Sequence, residues 1–571
     1  MRPTPRTTFA LLVTLGLVLA ACGTSQSSTQ PSGSAAASSG ASAVPVTGGK
    51  LRIGIGGSPD SLNPGNGLLS ESYTLYELVY DTPISLAADG SFQPELATDW
   101  SVAADGETWT MTIRDDVTFH DGTPLTADDI VFTLELYRDT ADFPYLPSYS
   151  DVFDSITAPD PTHVVIHTDG QIGNFEARMV FDYILPKHIW ETVDDPVAFD
   201  NAEMIGSGPF KLVENQQDEF TRLGANRDYW GPVPNVDEVI FQTFSNADAR
   251  VAALENGDVD MITEFPATAV KALRDTDNVN VMIADPVSVS LRDYFFNVVD
   301  PENCPTDEGG VCSGHPALRD VTVRKALATA VDKQQIIDVA ELGLGTPGLS
   351  FVGAGQGDFY ASEVSDYTYD PAAANAMLDA AGYLDTNGDG IRECPSGADC
   401  GPTGDLTFRF NYADDIDSAP READLLQGMW EAIGVKIEIQ GLDPDTLTSV
   451  CCPTFDYDIM LWGWGGDPDP AFLMGVTLCS EISSGFSETG YCNPDYDALY
   501  DQQGVEPDHA ARVDIFHQMQ QILIDDVPYI IPYYQSNVQA YRTDTFTGWD
   551  ESLGPLGLED PSSLSVVSQA Q

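Results

Sequence analysis

Patterns typical of strands and of helices alternate along almost the whole chain, and this alternation constrains the fold more than any other feature. Leu51, Ile53 and Ile55 alternate with small or polar residues, which is the two-residue period of a half-buried strand. The segment 370–382 has an aspartate cap, a first-turn proline and a closing glycine, which together predict a helix. The segment 435–440 returns to the strand period. Interleaved helices and strands predict an α/β fold.

Length and charge limit the domain count and the classes of partner. A chain of 571 residues exceeds what one hydrophobic core supports and suggests about three or four domains, or fewer with insertions. The 25 Lys and Arg face 89 Asp and Glu, for a net charge of −64. This balance argues against nucleic acid or anionic lipid as partners and weakly favours cationic ligands. The acidic residues are scattered, so a strongly solvated, salt-adapted surface explains the charge equally well.

The N-terminus has the form of a lipoprotein signal peptide, predicted at residues 1–21. Arg2 and Arg6 precede an apolar run at 9–20 that is too short to span a bilayer. The run Leu-Ala-Ala-Cys at 19–22 resembles the bacterial lipobox, which makes Cys22 the lipidated residue; plain secretion is the alternative. Residues 22–49 are rich in Ser, Ala, Gly and Thr and predict a flexible tether. We therefore expect the protein at the outer face of the cytoplasmic membrane.

Eight cysteines remain of the nine once Cys22 is set aside, an even number that suits disulfides in an oxidising compartment. Zinc is less favoured because none of the pairs has the usual Cys-x-x-Cys spacing. Cys451 and Cys452 either bond to each other or have partners elsewhere. Three other pairs are expected as disulfides: Cys304 with Cys312, Cys394 with Cys400, and Cys479 with Cys492.

The segment 458–470 reads Asp-Ile-Met-Leu-Trp-Gly-Trp-Gly-Gly-Asp-Pro-Asp-Pro and predicts a buried strand that runs out into a turn. Trp462 and Trp464 are two apart, so they project from one face of a strand. Gly465 and Gly466 would let a ligand approach the backbone, and Asp467 adds a carboxylate. Flat apolar walls beside one fixed anion suit a small organic molecule that carries a cation. From spacing alone, an aromatic core strand with an ordinary turn is the simpler interpretation.

A possible calcium loop begins at Asp385. Asp385, Asn387 and Asp389 occupy positions one, three and five, with a glycine at six and the backbone of Ile391 at seven, as in an EF-hand loop. Position twelve is Ser396 instead of glutamate, so the motif is incomplete. We expect either a structural calcium ion or a metal-free turn at this loop, and no other cofactor.

Several longer motifs resemble one family in their order along nearly the whole mature chain. They lie at 95–100, 109–114, 117–132, 206–210, 226–230, 318–327 and 432–435, and the 458–470 segment matches too. The order of these motifs, rather than any single one, resembles family 5 of the bacterial extracytoplasmic solute-binding proteins. This is the dipeptide- and oligopeptide-binding group of the ABC importers.

The resemblance implies a two-lobed fold like that of type II periplasmic binding proteins, with an insert domain in the first lobe. The expected bounds are 45–83, 205–288 and 528–571 for lobe one, 84–204 for the insert and 289–527 for lobe two. The lobes would close on a solute and pass it unchanged to membrane permease subunits with their ATPase. A monomer without enzymatic activity is expected.

The resemblance also implies the binding residues. Asp467 would take the α-ammonium of a peptide, with Asp469 as the alternative. Trp462 and Trp464 would flank the ligand, and Gly465 and Gly466 would offer it backbone hydrogen bonds. Tyr294 and Asn297, near the first crossing between the lobes, would line the cleft, although a plain strand there is equally compatible.

One departure from the family pattern concerns the ligand's carboxylate. Dipeptide binders of the family hold it with an arginine ahead of the helix that ends at 432–434, whereas the comparable region here, 411–417, is acidic. Arg409 and Arg421 flank that region at the wrong places. Dipeptides are therefore disfavoured, and longer peptides, cationic peptides or a non-peptide such as a glycoside stay open.

Two rival functions are a secreted lipoprotein hydrolase and a receptor that reports its ligand to a sensor kinase. The sequence contains no Gly-x-Ser-x-Gly elbow, His-Glu-x-x-His motif or Walker loop, which disfavours the hydrolase. The family fold serves both an importer and a sensor, so the sequence does not separate these two roles.

Overall fold

The computed structural model describes residues 47–401, 403–414, 416 and 418–570. The predicted signal peptide, Cys22 and nearly all of the tether lie outside these residues, so those predictions stand as made. Within the described part of the chain, no helix combines the length and the apolar character needed to cross a bilayer.

Two large mixed sheets confirm the α/β class. In spatial order the first sheet consists of Val279–Ala284, Asn537–Arg542, Met261–Thr263, Lys50–Ile55, Glu238–Thr243, Phe220–Ala225 and Phe210–Gln216. The second sheet consists of Thr346–Pro347, Tyr529–Tyr534, Ser290–Phe296, Ile459–Gly465, Thr407–Ala413 and Lys436–Leu442. The chain passes between the two sheets at 285–289 and again at 535–536.

A third, antiparallel sheet of four strands lies within the predicted insert. In spatial order its strands are Ala97–Val102, Thr108–Ile113, His163–Thr168 and Phe153–Asp160. Two short strand pairs complete the β-structure: Ile84–Leu86 with Phe92–Pro94, and Phe546–Thr547 with Ser568–Gln569.

The α-helices of the described residues are distributed among the three sheets. They are Ser70–Val79, Ala127–Asp139, Pro147–Ser150, Phe175–Met179, Lys187–Trp190, Ala247–Asn256, Ala267–Arg274, Val321–Thr329, Lys333–Ala340, Pro371–Ala381, Ala419–Glu431, Pro444–Cys451, Ala471–Gly475, Glu481–Ser484, Pro494–Gly504, His509–Asp526 and Pro561–Val566.

Local sequence signals account for several of these bounds. The helix Pro371–Ala381 starts after Asp370, whose carboxylate accepts the N–H groups of the first turn, and it ends at Gly382 with φ of 88°. A left-handed residue at this position is favourable for glycine because it has no Cβ. This helix was predicted with the same cap, proline and closing glycine.

One domain boundary differs from the prediction. Tyr529–Tyr534 was assigned to lobe one, but this strand pairs antiparallel with Ser290–Phe296 in the second sheet. The chain therefore returns to the first sheet only at Asn537. All six residues of Tyr529–Tyr534 are buried, and an apolar run of this kind carries no signal of which sheet it joins.

The cysteine pairs that the sequence predicts are present, with sulfurs in bonding contact. The open alternative at Cys451 and Cys452 is resolved in favour of a bond between the two neighbours. The other three disulfides are Cys304–Cys312, Cys394–Cys400 and Cys479–Cys492.

Candidate ligand-binding cleft

The strand Ile459–Gly465 lies in the middle of the second sheet. It pairs antiparallel with Ser290–Phe296 and parallel with Thr407–Ala413. Trp462 and Trp464 project from one face and are half-buried against the core of the second lobe. The indole N–H of Trp464 donates to Glu488 Oε2 at 2.8 Å, so this ring is fixed. The predicted strand and the shared face of the two indoles are both present.

The face opposite the indoles carries Gly463 and Gly465, and the end of the strand from Trp462 to Gly465 borders a cavity. This cavity of about 270 Å³ lies beside Gly463 and Gly465, and a Cβ at Gly465 would meet no atom within 4 Å. Gly466 is different: its N–H donates to Val289 O at 2.8 Å, so that group is already engaged. Of the two predicted glycines, only Gly465 lines a cavity.

Arg292 lines the same cavity and was not predicted from the sequence. Its Nε donates to Tyr533 Oη and its Nη1 to Trp462 O, both at 3.3 Å. Tyr533 in turn donates to Glu422, so the guanidinium lies beside a carboxylate network. A lone arginine inside the apolar strand Ser290–Phe296 was the signal that could have identified it.

Asp467 and Asp469 have different surroundings although they are two residues apart. Asp467 Oδ2 accepts a hydrogen bond from Tyr149 Oη of the insert at 3.4 Å. Burial, together with the charge of Asp469, raises the pKa of Asp467 to about 6. Asp469 is instead buried and chelated by Arg512, whose Nη2 lies 2.8 Å from Oδ1. Its carboxylate is therefore committed to the fold, which removes Asp469 as the alternative ligand residue.

The two predicted lining residues near the first crossing lie in the interior of the second lobe. Tyr294 is fully buried and its Oη donates to Glu422 Oε2 at 2.7 Å. Asn297 is 2% exposed and its amide donates to the carbonyls of Phe455 and Tyr457. The prediction that they line the cleft is wrong, because both side chains are buried and hydrogen-bonded inside the second lobe.

A cavity of about 310 Å³ lies where the two lobes and the insert meet; we call it the interlobe cavity. Glu77 and Asp560 line it from the first lobe, Phe181 from the insert, Val287 from the first crossing and Pro468 from the second lobe. It therefore occupies the cleft that the resemblance implies. No Lys, Arg or His of the described chain is among its lining residues.

The insert and the second lobe touch on the far side of this cleft. The N–H of Gly173 donates to Gly504 O at 2.9 Å, and the Tyr149–Asp467 hydrogen bond joins the same two parts. The structure therefore has a closed form of the cleft. The insert contributes a wall to it.

Glu95 also lines the interlobe cavity, but it is tied to a second carboxyl, Asp81. Thr82 Oγ1 donates to Glu95 Oε2 at 2.6 Å, and Asp81 accepts from Tyr229 Oη and Trp230 Nε1 at 2.9 and 3.0 Å. Burial raises the pKa of both carboxyls, and the charge of Asp81 raises that of Glu95 further. The pKa of Glu95 therefore lies well above its usual range.

Residues 91–484 match the sequence model of the family described as bacterial extracellular solute-binding proteins, family 5. The chain belongs to this family. Its members are extracellular by description, as the sequence predicted.

This solute-binding protein resembles named relatives over nearly its full length. It is 27% identical over 552 residues to the oligopeptide-binding protein AppA of Bacillus subtilis, covering 94% of this chain and 95% of that protein. It is 25% identical over 541 residues to the dipeptide-binding protein of Escherichia coli, covering 89% and 93%. The ABC transporter substrate-binding protein CtaP of Listeria monocytogenes is 27% identical with a TM-score of 0.75, covering 92% and 100%. The two-lobed type II periplasmic-binding-protein fold is thereby confirmed.

The predicted calcium loop of this solute-binding protein brings three carboxylates together. Asp385, Asp389 and Glu393 place oxygens within 4.8 Å of one another. The side-chain amide of Asn387 instead donates to Asp389 Oδ2 at 3.0 Å, and its Oδ1 accepts from the backbone N–H of Asp389 at 2.8 Å. The N–H of Ile391 donates to Asp389 Oδ1 at 2.9 Å. Glu393 was not predicted, because the loop was compared with a motif whose glutamate comes at position twelve.

Proposed function

We propose that this solute-binding protein captures peptides in the interlobe cavity and delivers them unchanged to an ABC permease. The observation that carries the proposal is the cavity of about 310 Å³ enclosed by both lobes and the insert. Cavities of this size bind small molecules in many proteins. Relatives named as oligopeptide- and dipeptide-binding proteins support peptides as the class of ligand. They also support binding rather than catalysis.

Oligopeptides are favoured over dipeptides because the flanking arginines are engaged elsewhere. Arg409 forms ion pairs with Asp456 at 2.9 Å and Asp458 at 3.0 Å, and Arg421 donates to Ala340 O at 2.8 Å. Arg409 is thus already paired, and Arg421 is exposed and is not among the lining residues of either cavity. A longer peptide does not need its C-terminus clamped at a fixed distance from its N-terminus.

Asp467 is proposed as the acceptor of the peptide's α-ammonium. Its carboxyl lies at the contact between the second lobe and the insert, where Tyr149 donates to it, and it precedes Pro468, which lines the interlobe cavity. No basic group is among the charges that shift its pKa. An ammonium group enclosed with it would compensate its charge and lose less on leaving water. Trp464, Trp462 and Gly465, which line the cavity of about 270 Å³, are proposed as the surface that contacts the ligand next to Asp467.

Membrane anchoring through a lipid on Cys22 and transfer to permease subunits with their ATPase remain proposals. Metabolic labelling with an alkynyl fatty acid should mark the wild-type protein, and Cys22→Ser should abolish the label and release the protein from membranes. A labelled Cys22→Ser variant would contradict the anchor. A sensor role would replace the importer role if ligand uptake proceeded normally in a strain lacking this protein.

The central test is isothermal titration calorimetry with di-, tri- and tetrapeptides, with mass spectrometry of the recovered ligand. We expect tri- and tetrapeptides to bind and to be recovered intact, and dipeptides to bind more weakly. Cleaved products would support the hydrolase instead. Failure of all peptides, with binding of a glycoside, would support the non-peptide alternative.

A structural calcium ion is proposed for the loop 385–393. The three carboxylate oxygens supplied by Asp385, Asp389 and Glu393 are of the type that calcium prefers, and the backbone oxygen of Ile391 is a further candidate. When bound, the ion would hold this exposed loop together. It has no proposed part in ligand binding.

A further inference from the structure

The first-lobe wall of the interlobe cavity carries acidic side chains without basic partners. Glu77 and Asp560 both line the cavity. No basic group is among the charges that shift the pKa of either carboxyl, and the charges that do act on Glu77 are the acids Asp560 and Glu559. Like charges placed together in a cleft are unfavourable, so this arrangement calls for an explanation outside the fold.

Glu77 is poorly placed for folding stability. It lies in the last turn of the helix Ser70–Val79, where the negative end of the helix dipole disfavours a carboxylate. The side chain is open to water within the cavity yet enclosed by protein around it. Burial, followed by the charges of Asp560 and Glu559, raises the pKa of Glu77 to about 8. A bound cation would reverse all of these unfavourable effects.

Asp560 has one carboxylate oxygen committed and one available. It caps the helix Pro561–Val566, and the backbone N–H of Ser562 donates to Oδ1 at 2.8 Å. The hydroxyl of Ser562 also donates to Oδ1. Among the described side chains none donates to Oδ2, so this oxygen has no side-chain partner; the backbone N–H of Ser563 also acts on the carboxyl and lowers its pKa.

Aromatic residues of the first lobe and of the insert lie beside these acids in the cavity lining. Tyr80, Phe181 and Tyr183 line the cavity together with Glu77 and Asp560. Aromatic faces attract organic cations, and carboxylates enclosed beside them supply the counter-charge. A small hydrated metal ion would make no use of the aromatic surface, whereas an ammonium or guanidinium group on an alkyl chain would use both.

We propose that this wall binds a positively charged side chain of the ligand, so that the preferred peptides carry Lys or Arg. The inference rests on the proposed function and deepens it. It adds a second point of charge recognition, separate from the α-ammonium site at Asp467. The relatives' names give no charge preference, so the preference is a property of this chain's own residues.

The test uses the full mature chain and tetrapeptides of alanine that carry one Lys at each position in turn, compared with matched Gln peptides. By isothermal titration calorimetry, the best Lys peptide should bind at least about tenfold more tightly than its Gln counterpart. Glu77→Gln should remove this preference. Glu71→Gln should keep it, because Glu71 is on the same helix but lines a different, smaller cavity.

The proton balance gives a second readout. Glu77 faces Asp560 and Glu559 of the C-terminal segment and Tyr183 of the insert. A bound Lys would favour ionised Glu77, so binding should release a proton and the Lys-peptide affinity should rise between about pH 6 and pH 8. The observed enthalpy should therefore depend on the ionisation enthalpy of the buffer for the wild type, and much less for Glu77→Gln.

The outcomes separate this inference from the proposed function. Equal affinity for the Lys and Gln peptides would overturn the charge preference and leave peptide binding in place. If no tetrapeptide of either type binds, the proposed function fails, and spermidine becomes the probe of the wall. Spermidine binding that Glu77→Gln weakens would support the cation site, and no binding would overturn it. Unchanged circular dichroism and thermal unfolding would show that the Gln variants are folded.

Discussion

Two buried acids of the second lobe, Asp469 and Asp458, are paired with arginines, whereas the acids along the first-lobe wall of the interlobe cavity have no basic partner. Asp469 is chelated by Arg512, and Asp458 lies 3.0 Å from the guanidinium of Arg409. Glu77 and Asp560 line a cavity without any basic residue among the described lining residues. The fold supplies basic partners for these two acids. It leaves the acids without basic partners where we propose that a solute enters.

Removing the arginine partner of Asp469 should reduce stability more than any other change described below. Arg512→Met keeps much of the aliphatic stem but leaves Asp469 buried without its partner, which should lower the free energy of unfolding by about 3–5 kcal/mol. Urea denaturation measures the change. As a control, Lys436→Ala breaks the exposed pair with Glu438 and should cost at most about 1 kcal/mol. Similar losses in both variants would contradict the distinction between a buried and an exposed ion pair.

The second prediction concerns ligand binding at Asp467. Asp467→Asn should weaken peptide binding by about 2–5 kcal/mol, because the ligand's ammonium would be enclosed without a counter-charge. Calorimetry with a peptide that binds the wild type measures this loss. The exposed Asp277→Asn carries the same charge change and should bind normally. An Asp467→Asn variant with wild-type affinity would remove Asp467 from the site.

The third prediction concerns acids of another kind, the exposed and clustered carboxylates of the loop 385–393. If the loop 385–393 binds calcium, then at a free concentration of one hundred times Kd the ion should add about 2.7 kcal/mol to stability. Thermal unfolding with and without a chelator measures this. Asp385→Ala should abolish the difference. Identical unfolding of the wild type in both conditions would show that the three carboxylates form a metal-free turn.

The fourth prediction has the smallest expected effect because Glu77 remains open to water in the cavity. Its pKa is raised from the ordinary value of about 4.5 to about 8, so the folded protein holds this proton more tightly than the unfolded chain. The resulting stabilisation is present below about pH 4.5 and is lost as the pH rises through about 8. The decline in stability between pH 5 and pH 8 should be shallower in Glu77→Gln than in Glu71→Gln. Equal pH dependence in the two variants would contradict the raised pKa.

Local patterns predicted the fold well because they act over short stretches of chain. The Asp370 cap, the closing Gly382 and the alternation at Leu51 and Ile53 each depend on a few neighbouring residues, and all are present in the structure. The assignment of Tyr529–Tyr534 to the first lobe was wrong because the sheet that this strand joins is decided by pairing with strands distant in the sequence.

The site was predicted less completely because its charges meet only in three dimensions. Nothing near Asp469 in the sequence indicates that Arg512 neutralises it. Glu77 and Asp560 lie near opposite ends of the chain, so their shared cavity is visible only after folding. The aromatic strand with Trp462 and Trp464 was found early because both residues lie in one short segment.

A crystal structure of the full mature protein with the tightest-binding Lys tetrapeptide would test the central claim most directly. The account predicts the peptide in the interlobe cavity, with the lysine ammonium nitrogen within about 3.2 Å of a Glu77 carboxylate oxygen. A peptide bound elsewhere, or a lysine side chain directed away from Glu77 and Asp560 into solvent, would contradict it.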